Sequence, residues 1–79
     1  MDLNAVRLFA LAAEAGSISE GARRSGIPLA TLSRHLRQLE QGLGKRLLER
    51  GRRGLSLTAA GHQLLSDAQP ALASLAHAE

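Results

Sequence analysis

The sequence predicts a mainly α fold: a three-helix core, a two-stranded hairpin and a long last helix. Three observations predict it. The 79 residues include sixteen Leu and fourteen Ala, both strong helix formers. Leu32, Leu36, Leu39 and Leu43 recur at i, i+4, i+7 and i+11, the spacing of a single helical face. After Gly44 the period shortens to two, where Leu55 and Leu57 flank Ser56. A chain of this length forms one small domain and buries only ~60–65% of the surface its unfolded form exposes.

The first helix is predicted from about Leu3 to Ala15, with Asp2 or Asn4 as N-cap and Gly16 as the stop. Its polar residues Asn4, Arg7 and Glu14 form one narrow stripe. A helix this apolar is expected to be covered on more than one side, by its own core and by a partner chain. The alternative is alanine simply tolerated on a surface. Ser17-Ile18-Ser19 opens a second helix. Ser19 is its expected N-cap, with Glu20 in the first turn complementing the helix dipole. That short helix, Glu20 to Ser25, stops at Gly26. Pro28 suits the start of a third helix, Leu29 to about Gln41. Ala30, Thr31, Arg34, Arg37, Gln38 and Gln41 lie opposite its leucine stripe.

Beyond Gly42-Leu43-Gly44, Leu47–Arg50 and Leu55–Leu57 read as strands around the turn Gly51-Arg52-Arg53-Gly54. Thr58 caps the last helix, Ala59 to Ala78, whose apolar face is Leu64, Leu65, Ala68, Leu72 and Leu75. Twenty residues make ~30 Å of helix. Pro70 lies inside it and removes one hydrogen bond, which predicts a bend near residues 66–70.

Composition excludes several function classes. There is no cysteine, hence no disulfide and no thiolate chemistry. Phe9 is the only aromatic residue, too few for base-stacking platforms or aromatic cages. His35, His62 and His77 are scattered and have no carboxylate at ligand spacing, so neither metal nor cofactor is expected. Gly42-x-Gly44-Lys45 is no P-loop, because Leu39 and Arg46 occupy the first-Gly and Ser/Thr positions. No nucleophile, base and acid come together in the sequence, and no enzymatic activity is expected. Met1 to Asn4 lacks the basic start of a signal peptide. The longest apolar run, Leu8 to Ala13, is too short to span a bilayer. The expectation is a cytoplasmic, nucleoid-associated protein with no membrane contact.

Charge is more informative. The net charge is +3 and the sequence pI is near 11.1. Residues 23–53 hold nine Arg or Lys against Glu40 and Glu49, a local excess of +7. Residues 1–22 and 54–79 carry −2 each. A basic middle between acidic ends is the pattern of an electrostatic footprint for an acidic partner, most often nucleic acid. The contrasting reading is a protein-interaction helical module whose basic patch is only solvated.

Two helices joined by a tight Gly-containing turn make a helix-turn-helix, and the basic hairpin after them makes a wing. The residues carry a resemblance over the whole chain. Leu8-Phe9, Ala13-Glu14 and Gly16-Ser17 stand in the opening. Ala22-Arg23-Arg24, Ser33-Arg34, Leu39-Glu40, Leu43-Gly44 and Leu47 follow. Glu49-Arg50, Arg53 and Leu57-Thr58-x-Ala60-Gly61 end it. In this order and spacing the chain resembles the N-terminal winged helix-turn-helix DNA-binding domain of LysR-type bacterial transcriptional regulators. It departs from that family in having Pro28-Leu29-Ala30 where Ser-Gln-(Ser/Pro) is common. Ser25 replaces a usual Leu, and Leu48 a usual Phe.

The resemblance implies sequence-specific binding of double-stranded DNA, with residues 1–58 as the DNA-binding domain and 59–79 as a linker and dimerisation helix. Base contacts are expected from Leu29, Ala30, Thr31, Ser33 and Arg34. Arg34 suits guanine O6/N7, and Leu29 and Ala30 a thymine methyl. Ser17, Ser19, Arg37, Arg50, Arg52 and Arg53 are expected at the backbone or minor groove. Glu40 is expected to pair with a nearby Arg. Leu64, Leu65, Ala68, Leu72 and Leu75 would form a homodimer interface, placing two recognition helices on an interrupted inverted repeat. The chain is also expected to be a fragment, with any small-molecule effector bound by a missing C-terminal domain.

Overall fold

The computed structural model describes residues 2–78, with side chains described for residues 2–74. Four helices and one hairpin follow in order: α1 (Leu3–Ala15), α2 (Ile18–Ser25), α3 (Leu29–Leu43), β1 (Leu48–Gly51), β2 (Gly54–Leu57) and α4 (Ala59–Ala78).

α1 begins where the Asn4 N–H donates to Asp2 Oδ1 at 2.9 Å, so Asp2 is the cap. It ends at Gly16, whose N–H donates to the Ala12 and Ala13 carbonyls. Its inward face buries Ala5, Val6, Leu8, Phe9 and Ala12, while Asn4, Arg7 and Glu14 stay exposed.

α2 starts two residues earlier than the sequence reading placed it. Ser17, not Ser19, is the N-cap. Gly16 turns the chain out of α1, which leaves Ser17 extended, and its Oγ accepts the Glu20 N–H at 3.0 Å. Ser17-x-x-Glu20 is capping-box spacing. Ser19 therefore sits within the first turn, exposed.

α3 follows Pro28, whose carbonyl accepts the Leu32 N–H at 3.0 Å. The helix runs two residues beyond Gln41 and ends at Gly44. Gly42 does not break it. Leu32, Leu36 and Leu39 are buried and Leu43 half-buried, so the predicted leucine stripe is the face that enters the core. Phe9, Leu32, Leu47 and Val6 form its fully buried centre. Burial of each such side chain contributes ~1.5–3 kcal/mol.

The antiparallel hairpin pairs Leu48 with Leu57, Glu49 with Ser56, Arg50 with Leu55 and Gly51 with Gly54. β1 begins at Leu48 rather than Leu47. Leu47 stands just before it: its N–H donates to Glu40, and its carbonyl accepts the Thr58 N–H, one step beyond the Leu48–Leu57 pair. The glycines lie within the strands, and Arg52-Arg53 alone make the turn. Neither arginine has positive φ; Gly54 takes that conformation instead, at φ +100°, as hairpin twist requires.

Thr58 caps α4. Its Oγ1 accepts the Gly61 N–H at 3.0 Å and donates to the Arg46 carbonyl at 2.6 Å. α4 is helical without interruption through Pro70. Leu64, Leu65 and Ala68 pack partly buried against the core. No described helix is long and apolar enough to cross a membrane.

Candidate nucleic-acid interface

The start of α2, the first half of α3 and the hairpin converge on one face. Between them lies a cleft of about 470 Å³, lined by Ser17, Ile18, Ser19, Leu29, Ala30, Ser33, Arg50, Gly51, Gly54 and Leu55. No acidic side chain lines it. A neighbouring cleft of about 540 Å³ follows the flank of α3, and Ser33, Arg37, Lys45, Arg46 and Arg50 contribute to it.

The leucine stripe orients α3. With Leu32, Leu36 and Leu39 inward, the opposite face must point outward. Leu29 is 50% exposed. Ala30, Arg34 and Arg37 are exposed as well, with Thr31 and Ser33 half-buried between them.

The cations divide into two sets. Arg23 and Arg24 both hydrogen-bond the Glu20 carboxylate, Arg24 Nε at 3.1 Å. The Arg23 hydrogen bond, reinforced by Arg24, holds the Glu20 carboxyl down at about 2. Among the described residues, Arg34, Arg37, Arg52 and Arg53 make no ion pair. The last two are exposed at the hairpin turn. Arg34 and Arg37 of α3 and Arg52 and Arg53 of the hairpin thus keep their charge unpaired among the described residues, as do Arg7, Lys45, Arg46 and Arg50.

Three contacts fix the hairpin against the helices. Glu40 Oε2 accepts the Leu47 N–H at 2.7 Å and the Leu48 N–H at 3.2 Å. The expectation that Glu40 pairs with an arginine is thus corrected: two free strand N–H groups outcompete it. The Leu55 N–H donates to the Gly16 carbonyl at 3.0 Å, tying β2 to the turn before α2. A Cβ at residue 54 would lie 2.7 Å from that same carbonyl oxygen. Arg50 Nη2 donates to Ser33 Oγ at 3.2 Å, which brings a hairpin residue onto the recognition face of α3.

Sequence reasoning missed the Gly16, Glu40 and Ser33 contacts with the hairpin. Only the Ser17-x-x-Glu20 spacing offered a readable local signal for what was missed at α2. The other contacts span 7 to 39 positions, beyond any periodicity.

The predicted dimer residues are placed differently. Leu64, Leu65 and Ala68 pack in part on this chain's own core. Leu72 is half-buried and lines a groove of about 500 Å³ with Arg7, Leu11 and Glu14 of α1. The Leu75 side chain lies outside the described residues. Among the described residues no group of three His, Asp or Glu could hold a metal.

Comparison with known proteins gives a consistent result. Residues 3–62 match the bacterial regulatory helix-turn-helix proteins, lysR family. The HTH-type transcriptional regulator TcbR of Pseudomonas sp. strain P51 is 41% identical over 69 residues, covering 87% of this chain and 24% of that protein. The chain thus spans about a quarter of that relative's length. The crystal structure of the CbnR_DBD-DNA complex superposes with a TM-score of 0.88 at 37% identity, over 99% of this chain and 90% of the other. The BenM_DBD/benA site 1 DNA complex gives 0.90 at 34% identity, over 98% and 90%. With the family match spanning α1 to the start of α4, and the hairpin standing beside α3 as a wing, the chain belongs to the lysR family of bacterial helix-turn-helix regulatory proteins.

Proposed function

We propose that this chain binds double-stranded DNA sequence-specifically, as the DNA-binding part of a bacterial transcriptional regulator. One observation carries the reading: Leu29, Ala30 and Ser33 of α3 meet Arg50 of the hairpin across a cleft that no acidic side chain lines, while Arg34, Arg37, Arg52 and Arg53 make no ion pair among the described residues. Two structurally similar proteins were crystallised as complexes with DNA, which supports it.

In this reading α3 enters the major groove. Leu29, Ala30, Thr31, Ser33 and Arg34 read base edges, and Arg34 forms a bidentate pair with a guanine. Leu29 and Ala30, apolar and exposed, suit a thymine methyl. Ser17 and Ser19 approach phosphate with the free N–H groups at the start of α2. Arg37 and Arg50 add backbone contacts, and Arg52 and Arg53 reach a narrow minor groove. Residues 1–58 form the DNA-binding unit. α4, in the segment 59–79, serves as a linker helix that pairs two copies, so that two α3 helices face an interrupted inverted repeat. Protein of this class acts by occupancy, and the reading needs no catalytic step.

The test is selection of binding sites from random duplex DNA, followed by a salt titration of the winner. Binding is expected to fall with a log–log slope of about −0.9 per phosphate neutralised. Failure to bind any duplex at low salt refutes the proposal.

A further inference from the structure

We propose that Arg50 sets the hydrogen-bonding polarity of Ser33, biasing it towards donation to the DNA base edge. The inference rests on the DNA-binding reading above. Ser33 is half-buried on the exposed side of α3, and Arg50 lies in β1, 17 residues away. The Arg50 guanidinium donates to Ser33 Oγ at 3.2 Å. Both residues line both clefts between α3 and the hairpin, so their bridge marks the boundary between them.

A serine hydroxyl ordinarily donates or accepts, so alone it discriminates poorly among bases. Here one lone pair is taken by a cation that never deprotonates. Accepting from a cation withdraws electron density from Oγ, which weakens it as an acceptor and strengthens it as a donor. The hydroxyl proton must also point away from the guanidinium. Ser33 then favours a base-edge acceptor such as thymine O4 or guanine O6. It disfavours the amino groups of cytosine and adenine. Arg50 is thus a positioning residue whose effect on specificity runs through Ser33. That role is separate from any phosphate contact, which changes affinity alike for all sequences.

The experiment measures binding of the unmodified chain, Ser33→Ala, Arg50→Met and the double variant to the selected duplex and all its single base-pair substitutions, at one fixed salt concentration. Arg50→Met keeps the aliphatic stem, and circular dichroism checks that each variant remains helical. Ser33's position is the one where Ser33→Ala abolishes discrimination. There the unmodified chain should prefer thymine or guanine over cytosine by about tenfold, within the ordinary cost of a mismatched pair. Arg50→Met should cut that ratio at least threefold at that position and leave ratios elsewhere unchanged. The double variant should show the same lack of discrimination there as Ser33→Ala, and a ratio that differs from it overturns the claim that Arg50 acts through Ser33. The proposal is overturned if Arg50→Met weakens every duplex equally with the ratio intact, or if Ser33→Ala changes no base preference. Absence of binding to any duplex overturns the DNA-binding reading with it, whereas tight binding with an Arg50-independent ratio overturns this inference alone.

Discussion

The same substitution at two helical glycines should have opposite effects, and the structure gives the sign of each. Gly42 lies inside α3 with nothing within 4 Å of the position a Cβ would take. Replacement by Ala there should stabilise by about 0.5–1 kcal/mol through reduced backbone entropy. Gly61 lies in the first turn of α4, where a Cβ would sit 2.1 Å from the Leu47 carbonyl oxygen. That is roughly 1.2 Å inside the closest ordinary C···O approach of about 3.3 Å. The oxygen is backbone and already accepts the Thr58 N–H at 3.0 Å. Withdrawing α4 far enough would break that bond and strain the one from Thr58 Oγ1 to Arg46. Overpacking costs about 1–3 kcal/mol and each lost hydrogen bond about 0.5–1.5, against a helix-propensity gain of about 1. The net expectation for Gly61→Ala is a loss of roughly 2 kcal/mol, lowering Tm by about 8–16 °C for a domain this size. Thermal melting followed by far-ultraviolet circular dichroism measures both variants. A Gly61→Ala protein that melts at or above the unmodified temperature would refute the proposed packing of α4 against the hairpin.

Other outcomes follow from the same contacts. Glu40→Ala leaves the Leu47 and Leu48 N–H groups without their acceptor and should cost about 1–3 kcal/mol in denaturant melts; Glu40→Gln, which keeps one acceptor oxygen, should cost less. The Glu20 carboxyl, held at about 2 by Arg23 and Arg24 against an ordinary 4.5, is depressed in the folded state. Its contribution is therefore present above pH 4.5 and lost as pH falls towards 2. The Tm gap between the unmodified chain and Glu20→Gln should be constant above pH 4.5 and close below it, and a gap that persists at pH 2 contradicts the Arg23–Glu20 assignment. Arg34→Ala should weaken the selected duplex by about 1–3 kcal/mol and relax preference at one base pair, read by competition binding. Leu29→Gln should exchange sensitivity to a thymine methyl for preference for adenine at its position, which substitution of deoxyuridine for thymidine detects.

Much of the fold was legible because it is local. The leucines of α3 are spaced by one helical period, and that spacing alone names the buried face and, by difference, the face that carries Arg34 and Arg37. Gly16, Gly26 and Pro28 mark helix limits through conformational preferences belonging to single residues. The start of α2 was misplaced because two serines compete for the cap. The winner is chosen by where the Gly16 turn leaves the chain extended.

The amino-acid sequence by itself determined the helices, the hairpin, the position of the basic segment and the family, since these depend on periodicity, on residue-specific backbone preference and on order along the chain. Tertiary structure alone decided how the hairpin is aimed and which groups hold it. The pairs of Glu20 with Arg23 and Arg24, three and four positions apart in α2, are by contrast local. Glu40 serves strand N–H groups rather than an arginine, and Arg50 reaches Ser33. The physical reason is that a hydrogen bond is decided by distance and angle in space, and groups far apart in the chain acquire those only when the core has packed.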